Sequence, residues 1–280
     1  MTPGVAVLYV PADNARALAK APSTEATAFI FDLEDAVAPA AKADARETLR
    51  TTMPRADDRP RAIRINGVGS EHFTEDFLLV RKLMPEAIVL PKVERAADLA
   101  TVETALAETD APDTMHVWAM IETPLGVLNL PEIVACRGRL ACLVLGANDL
   151  VAALGASGDG VRTHLRQCRT EIVLAARARG LFALDGVTNA LRDEALVLAD
   201  ARHGAELGFD GKTLVHPAQI APTLAAFRPT DERAREARAI VDAFAALPPG
   251  TGITTVDGRL VERLHLAAAR RDLAKIGELP

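Results

Sequence analysis

Short, continuous apolar runs alternate along this chain with longer stretches of helical period. Val5–Val10, Ala28–Phe31, Ala62–Ile65, Ala87–Leu90, Val117–Ile121, Leu140–Leu145 and Leu181–Leu184 read as strands, and the stretch Phe209–Val215 reads as a weaker eighth. Each ends at a breaker or a polar residue: Pro11, Asp32, Asn66-Gly67, Pro91, Glu122, Gly146, Asp185 and His216-Pro217. Between them the pattern predicts helices through Lys20, over Ala40–Leu49, Thr74–Leu83, Arg95–Glu108, Arg162–Arg179 and Glu194–His203. Strands without polar alternation are buried on both faces, as in a parallel sheet covered by helices.

About eight strand–helix units predict a (β/α)8 TIM barrel over residues 1–228. The runner-up, a doubly wound open sheet, is disfavoured because no strand is followed by a GxGxxG loop. Residues 229–280 break the pattern. They read as a charged helix over Asp231–Leu247, a Pro248-Pro249-Gly250 linker, an extended ITTV piece, a turn at Asp257-Gly258 and a terminal helix. Within this helical, lid-like extension the tail Gly252–Pro280 is too short for a core of its own, so it is expected to dock on the barrel or on a neighbouring subunit.

Composition narrows the function. The 280 residues carry a formal charge of −6, which excludes the basic footprint of a nucleic-acid binder, and 4% aromatic residues make a base-stacking platform improbable. Hydrophobic residues at 49% and charged residues at 25% are an ordinary globular mixture. Cys136, Cys142 and Cys168 match no zinc or redox spacing. No signal-peptide pattern or membrane-length apolar run is present, so the expectation is a cytoplasmic protein.

A barrel enzyme places its chemistry at the C-terminal ends of its strands. Those ends carry Asp32, Glu34, Asp35, Arg64, Asn66, Lys92, Glu94, Glu122, Asn148, Asp149, Asp185 and His216. Glu122 and Asp149 end consecutive strands. Two carboxylates with no soft ligand nearby suit Mg²⁺, or Mn²⁺, while the bland alternative is that each caps the following helix. Arg64 lies in an apolar strand and needs an anion, either Asp32 or Glu34 or a substrate carboxylate. Lys20, Lys42 and Arg46 read by default as surface helix charges, and His216 as a structural histidine.

The motifs VPADNARALAKA (Val10–Ala21), FDLEDAVAPAAKADAR (Phe31–Arg46), RING (Arg64–Gly67), VLPKVE (Val89–Glu94), IETPLGVLN (Ile121–Asn129), LGANDLVAALG (Leu145–Gly155), LDGVTNALRD (Leu184–Asp193), GFDGKTLVHPAQI (Gly208–Ile220) and VDGRLVE (Val256–Glu262) follow one another in order. In this the chain resembles the citrate lyase β-subunit-like proteins of the HpcH/HpaI aldolase and malyl-CoA lyase group. The resemblance implies a Mg²⁺-dependent barrel that cleaves or forms a carbon–carbon bond beside an acyl-CoA thioester. It implies that Glu122 and Asp149 ligate the metal, that Glu122 also faces substrate, and that Glu34 and Asp35 hold metal-bound waters. It further implies that Arg64 binds substrate oxygens, that Lys20 and Arg16 lie near the CoA phosphates, and that Asp257 serves as acid/base from a neighbouring subunit of a homotrimer. Three departures bear on the substrate: Ala12 stands where the family favours Gly, Asn148 precedes the metal Asp, and Arg263-Leu264-His265 follows VDGRLVE.

Retro-Claisen cleavage of a 3-hydroxyacyl-CoA such as malyl- or citramalyl-CoA fits these residues: a Lewis acid for the hydroxyl oxygen, a cation for the enolate and a carboxylate to move the proton. Two alternatives use parts of the same set. One is a class II-type 2-keto-3-hydroxy acid aldolase acting on free carboxylic acids. The other is a subunit that binds an acyl thioester without turning it over.

Overall fold

The computed structural model describes every residue except Met1, Arg55, Ala56, Asp110, Arg137, residues 158–163, Pro249, Leu279 and Pro280. Eight strands, β1 (Ala6–Pro11), β2 (Ala28–Asp32), β3 (Arg61–Arg64), β4 (Ala87–Leu90), β5 (His116–Ile121), β6 (Leu140–Leu145), β7 (Phe182–Asp185) and β8 (Gly211–Leu214), close into a barrel in sequence order. Every adjacent pair is parallel, and closure comes from β1 against β8, with Ala6 opposite Lys212 and Leu8 opposite Leu214. The fold is the expected (β/α)8 TIM barrel.

The layer around the barrel consists of α1 (Ala15–Lys20), α2 (Lys42–Thr52), α3 (Phe73–Leu83), α4 (Ala96–Glu108), the short α5 (Pro124–Leu128) and α6 (Leu130–Ile133), α7 (Ala147–Leu154), α8 (Arg166–Ala178) and α9 (Glu194–Leu207), and α10 (Ile220–Phe227) follows β8 in the chain. The expected helix Arg162–Arg179 begins among residues outside the described set. Helix α9 runs four residues past the expected His203 and ends at Gly208, whose φ of 99° lets the chain leave in the left-handed region.

Side chains alternate across each strand, so inward positions repeat every second residue. Val7, Ala28, Ile30, Ala62, Ala87, Val89, Trp118, Met120, Cys142, Val144 and Leu184 fill the barrel as one buried cluster. The same parity carried to the C-terminal ends reaches Tyr9, Asp32, Arg64 and Glu122. The barrel is thus apolar through its body and polar in its top layer, which places the chemistry at that mouth.

The chain divides into two compact units, Met1–Thr223 and Leu224–Pro280. In the second, α11 (Asp231–Ala245), an antiparallel hairpin of β9 (Ile253–Val256) and β10 (Arg259–Glu262), and α12 (Arg263–Ala274) pack together. The sequence alone left the apolar side chains of the tail without a partner inside their own segment. Helix α11 supplies one: Ala237 and Ile240 form a small core with Val261, Ala269 and Leu273, while Val256 and Leu266 pack at its edge. Ile253, Leu260 and Leu264 stay exposed. Asp257 and Gly258 form the hairpin's two-residue turn, with φ of 46° and 74°, as a primed turn requires. Pro249 of the expected linker lies outside the described residues.

Candidate active site

Arg64 organises the mouth. Its Nε and Nη2 donate to the two carboxylate oxygens of Asp32 at 2.8 and 2.5 Å, a two-pronged pair between neighbouring strands, β2 and β3. Nη1 lies 3.0 Å from Glu34 Oε2 and 3.7 Å from Asp35 Oδ2, and the guanidinium carbon stands 4.9 Å from the ring centre of Tyr9. The structure thus answers with Asp32 and Glu34 the question of what anion Arg64 faces. Lys92 Nζ bonds the other oxygen of Glu34 at 2.6 Å. Glu34 is buried, and burial pushes its carboxyl up, with Arg64 and Lys92 pulling the other way.

Glu122 sits just past β5, fully buried. Oε1 accepts the backbone N–H of Lys92 at 2.8 Å, and Lys92 adopts a φ of 53° as it presents that amide. Oε2 is buried with no hydrogen-bond partner among the described residues. Burial, with the charges of Glu34 and Asp149, pushes the Glu122 carboxyl up to about 8. Helix capping does not explain it, because Thr123 caps α5 by accepting from Gly126 N at 3.0 Å. Asp149 lies in the first turn of α7, where Gly146 and not Asp149 is the N-cap residue.

The mouth holds two cations, Arg64 and Lys92, among five carboxylates: Asp32, Glu34, Asp35, Glu122 and Asp149. Asp32, Glu34 and Glu122 are buried, Asp149 is half-buried and Asp35 is exposed, and the three buried carboxylates clustered there leave a place for a further cation. The orphaned Oε2 marks where one fits. Among the described residues no group of three or more His, Cys, Asp or Glu side chains is arranged as a metal cage. Two hard carboxylates and room for water suit Mg²⁺, which binds through few protein ligands, better than zinc. A cavity of about 350 Å³ opens above, lined by Tyr9, Asp35, Arg64, Met120, Asn148 and Asp149 among others, with no His, Cys or Ser among the described residues of its wall.

The loops bearing these groups are held from beneath. Lys42, read from sequence as a surface charge, is instead buried. Its Nζ donates to the carbonyls of Leu33 and Glu34 at 2.7 Å each, and burial pulls its ammonium down from the ordinary value. The amide of Asn66 bridges Leu33 O at 3.0 Å and Asp76 at 2.6 Å, and the fully buried Asp76 also takes Arg46 at 3.0 Å. On the far side Asp185 is not in the cavity. It faces outward to Arg169, at 3.1 and 2.6 Å, and to Lys212 at 3.5 Å, three fully buried side chains, and Lys212 also pairs with the half-buried Asp200. His216 caps the turn after β8, its Nδ1 accepting from Ala218 N at 3.1 Å.

The remaining residues named from sequence are placed as follows. Arg16 and Lys20 are exposed on α1. Asn148 is exposed and exchanges hydrogen bonds with Asn189 at 3.3 and 3.0 Å. Ala12 is buried, its N–H bonds Asp32 O at 3.0 Å, and it does not need the positive φ that glycine would allow. Asp257 lies at the hairpin tip of the second unit. The three cysteines are free thiols. Among the described residues no helix is long and apolar enough to cross a membrane. Tyr9 was missed by sequence reasoning; its signal was a lone polar tip at the end of the inward face of β1.

The HpcH/HpaI aldolase/citrate lyase family model matches residues 5–217, the whole barrel. The chain belongs to that family. Within it, the chain is 43% identical over 272 residues to a (3S)-malyl-CoA thioesterase of Cereibacter sphaeroides, covering 96% of this chain and 93% of the relative. It is 33% identical to the citrate lyase subunit beta of Escherichia coli K12, covering 97% and 94%. The crystal structure of the Mycobacterium tuberculosis protein CitE in complex with magnesium, acetoacetate and coenzyme A superimposes with a TM-score of 0.77 at 32% identity, covering 98% of each chain. Family membership makes this protein similar to enzymes of CoA-ester chemistry.

Proposed function

We propose that this protein is a Mg²⁺-dependent carbon–carbon lyase acting on a 3-hydroxyacyl-CoA such as malyl-CoA or citramalyl-CoA. The observation that carries the reading is the unpartnered, buried Oε2 of Glu122 at a mouth with five carboxylates and two cations. Glu122 and Asp149 would hold the ion, with Glu34 and Asp35 facing its waters. Bound there, Mg²⁺ would supply a Lewis acid for the substrate's oxygens.

The chain's own residues do the rest. Arg64, already fixed by Asp32 and Glu34, presents a rigid cation to the charge that develops as the bond electrons pass to the thioester enolate. Lys92 keeps Glu34 in place. In the forward direction a carboxylate takes the hydroxyl proton, the carbon–carbon bond breaks, and the enolate is protonated at carbon. Asp257, contributed by a neighbouring copy in a homotrimer, is the proposed acid/base. Lys20 and Arg16, exposed on α1, are the proposed contacts of the CoA phosphates.

A second reading, thioester hydrolysis, is favoured by the 43% identity to proteins named malyl-CoA thioesterase. Among the described residues the cavity wall offers no Ser, Cys or His for an acyl-enzyme route, and its one threonine hydroxyl, that of Thr213, donates to the Asp185 carbonyl, so hydrolysis would use water directly. Incubation of malyl-CoA with the Mg²⁺ form, with products read by mass, decides. Acetyl-CoA plus glyoxylate supports the lyase; free CoA plus malate establishes hydrolysis instead; no turnover of any 3-hydroxyacyl-CoA removes both.

A further inference from the structure

One donor on the floor of the cavity, the Tyr9 hydroxyl, lacks an adequate acceptor among the described residues, while Arg64 Nη1 beside it is already paired with Glu34 at 3.0 Å. The Tyr9 hydroxyl reaches the Met120 thioether at 3.7 Å, and Arg64 Nη1 reaches the same sulfur at 3.9 Å. A thioether sulfur is a weak acceptor. The ring of Tyr9 is fixed beneath the Arg64 guanidinium, so the hydroxyl has a defined place rather than a free swing. Tyr9, Arg64, Met120 and Asp149 line one cavity.

We propose that the Tyr9 hydroxyl is a binding residue of this site, donating to a carboxylate or carbonyl oxygen of the short acid held above Met120. The proposal rests on the reading of the mouth as a Mg²⁺–acid site and adds to it a neutral donor beside Arg64. A phenol suits this place better than another cation. It supplies one directed hydrogen bond without adding charge, and burial pushes its titration up, so it keeps its proton across the working range.

Tyr9→Phe removes the oxygen and keeps the ring under Arg64, so packing is preserved. Calorimetric titration of both proteins with Mg²⁺ alone, and then with pyruvate in saturating Mg²⁺, separates the roles. The expected result is unchanged Mg²⁺ affinity and about tenfold weaker pyruvate binding in Tyr9→Phe, the size of one hydrogen bond to a charged acid. Equal pyruvate affinity in the two proteins, or no pyruvate binding to the wild type, overturns the proposal. Failure of the lyase reading shows separately, as absence of thioester turnover by a wild type whose pyruvate affinity still depends on the Tyr9 hydroxyl.

Discussion

A methyl group at position 146 would collide with Cβ and the unpartnered oxygen of Glu122, so only glycine lets the chain leave β6 beside this carboxylate. Gly146→Ala is therefore expected to push Glu122 out of place. Overpacking of this kind costs about 1–3 kcal/mol. Calorimetry should show Mg²⁺ affinity lowered at least tenfold, with the melting temperature also reduced. Wild-type Mg²⁺ binding by Gly146→Ala would remove Glu122 from the metal site.

The raised carboxyl of Glu122 gives the ion-free protein a pH signature. Its folded value, about 8, lies above the ordinary 4.5. The folded chain holds a proton there that the unfolded chain releases. The stability contributed is fully present below pH 4.5 and is lost as pH rises through about 8. Melting temperature in chelator should accordingly fall across that window, and Mg²⁺ should restore more stability at pH 8 than at pH 5. A Glu122→Gln variant should show neither trend.

Arg64→Lys keeps the charge but loses the fork that grips Asp32 while reaching Glu34. Catalytic efficiency should drop at least tenfold, about 1.4 kcal/mol of transition-state stabilisation. Steady-state kinetics of this variant at wild-type efficiency would confine Arg64 to a structural ion pair.

Lys42→Met removes two hydrogen bonds to the carbonyls of Leu33 and Glu34 while preserving the buried stem. A loss of about 2 kcal/mol in denaturant unfolding is expected. Because those carbonyls belong to the turn that carries Glu34, kcat should fall as well. Lys42→Arg, which can donate but needs more room, should recover only part of either quantity.

Mixing two inactive variants tests whether sites are shared between copies. If Asp257 acts from a neighbour, Asp257→Ala and Asp149→Ala proteins should regain activity after subunit exchange, since some mixed sites are intact. Absence of recovery, with exchange proven by mass, would place Asp257 outside the chemistry of any neighbouring site.

The barrel was legible because strands buried on both faces must be apolar throughout: Ala87–Leu90 and Leu140–Leu145 fall on the residues their patterns predict. The second unit was less so, since Ala237 and Ile240 lie in a helix dominated by charge and give little sign of a core. At the site, the strand-end carboxylates stood out because charge at the end of an apolar run is rare. Lys42 did not, because a lysine on an amphipathic helix looks the same whether it meets water or two carbonyls. Asp185 looked like its neighbours in sequence, and only the pleat, which turns it outward beside Arg169, separates it from the mouth.

Closure of the barrel by Ala6 against Lys212 joins strands from opposite ends of its sequence. During synthesis at roughly 5–20 residues per second, the first strand therefore waits on the order of 10–40 s for the partner that completes it. Until β8 leaves the ribosome, the free edge of β1 and its apolar neighbours are open to other chains. Newly made protein is thus most vulnerable to aggregation late in translation, and a message truncated before β8 would yield a product with two unpaired strand edges.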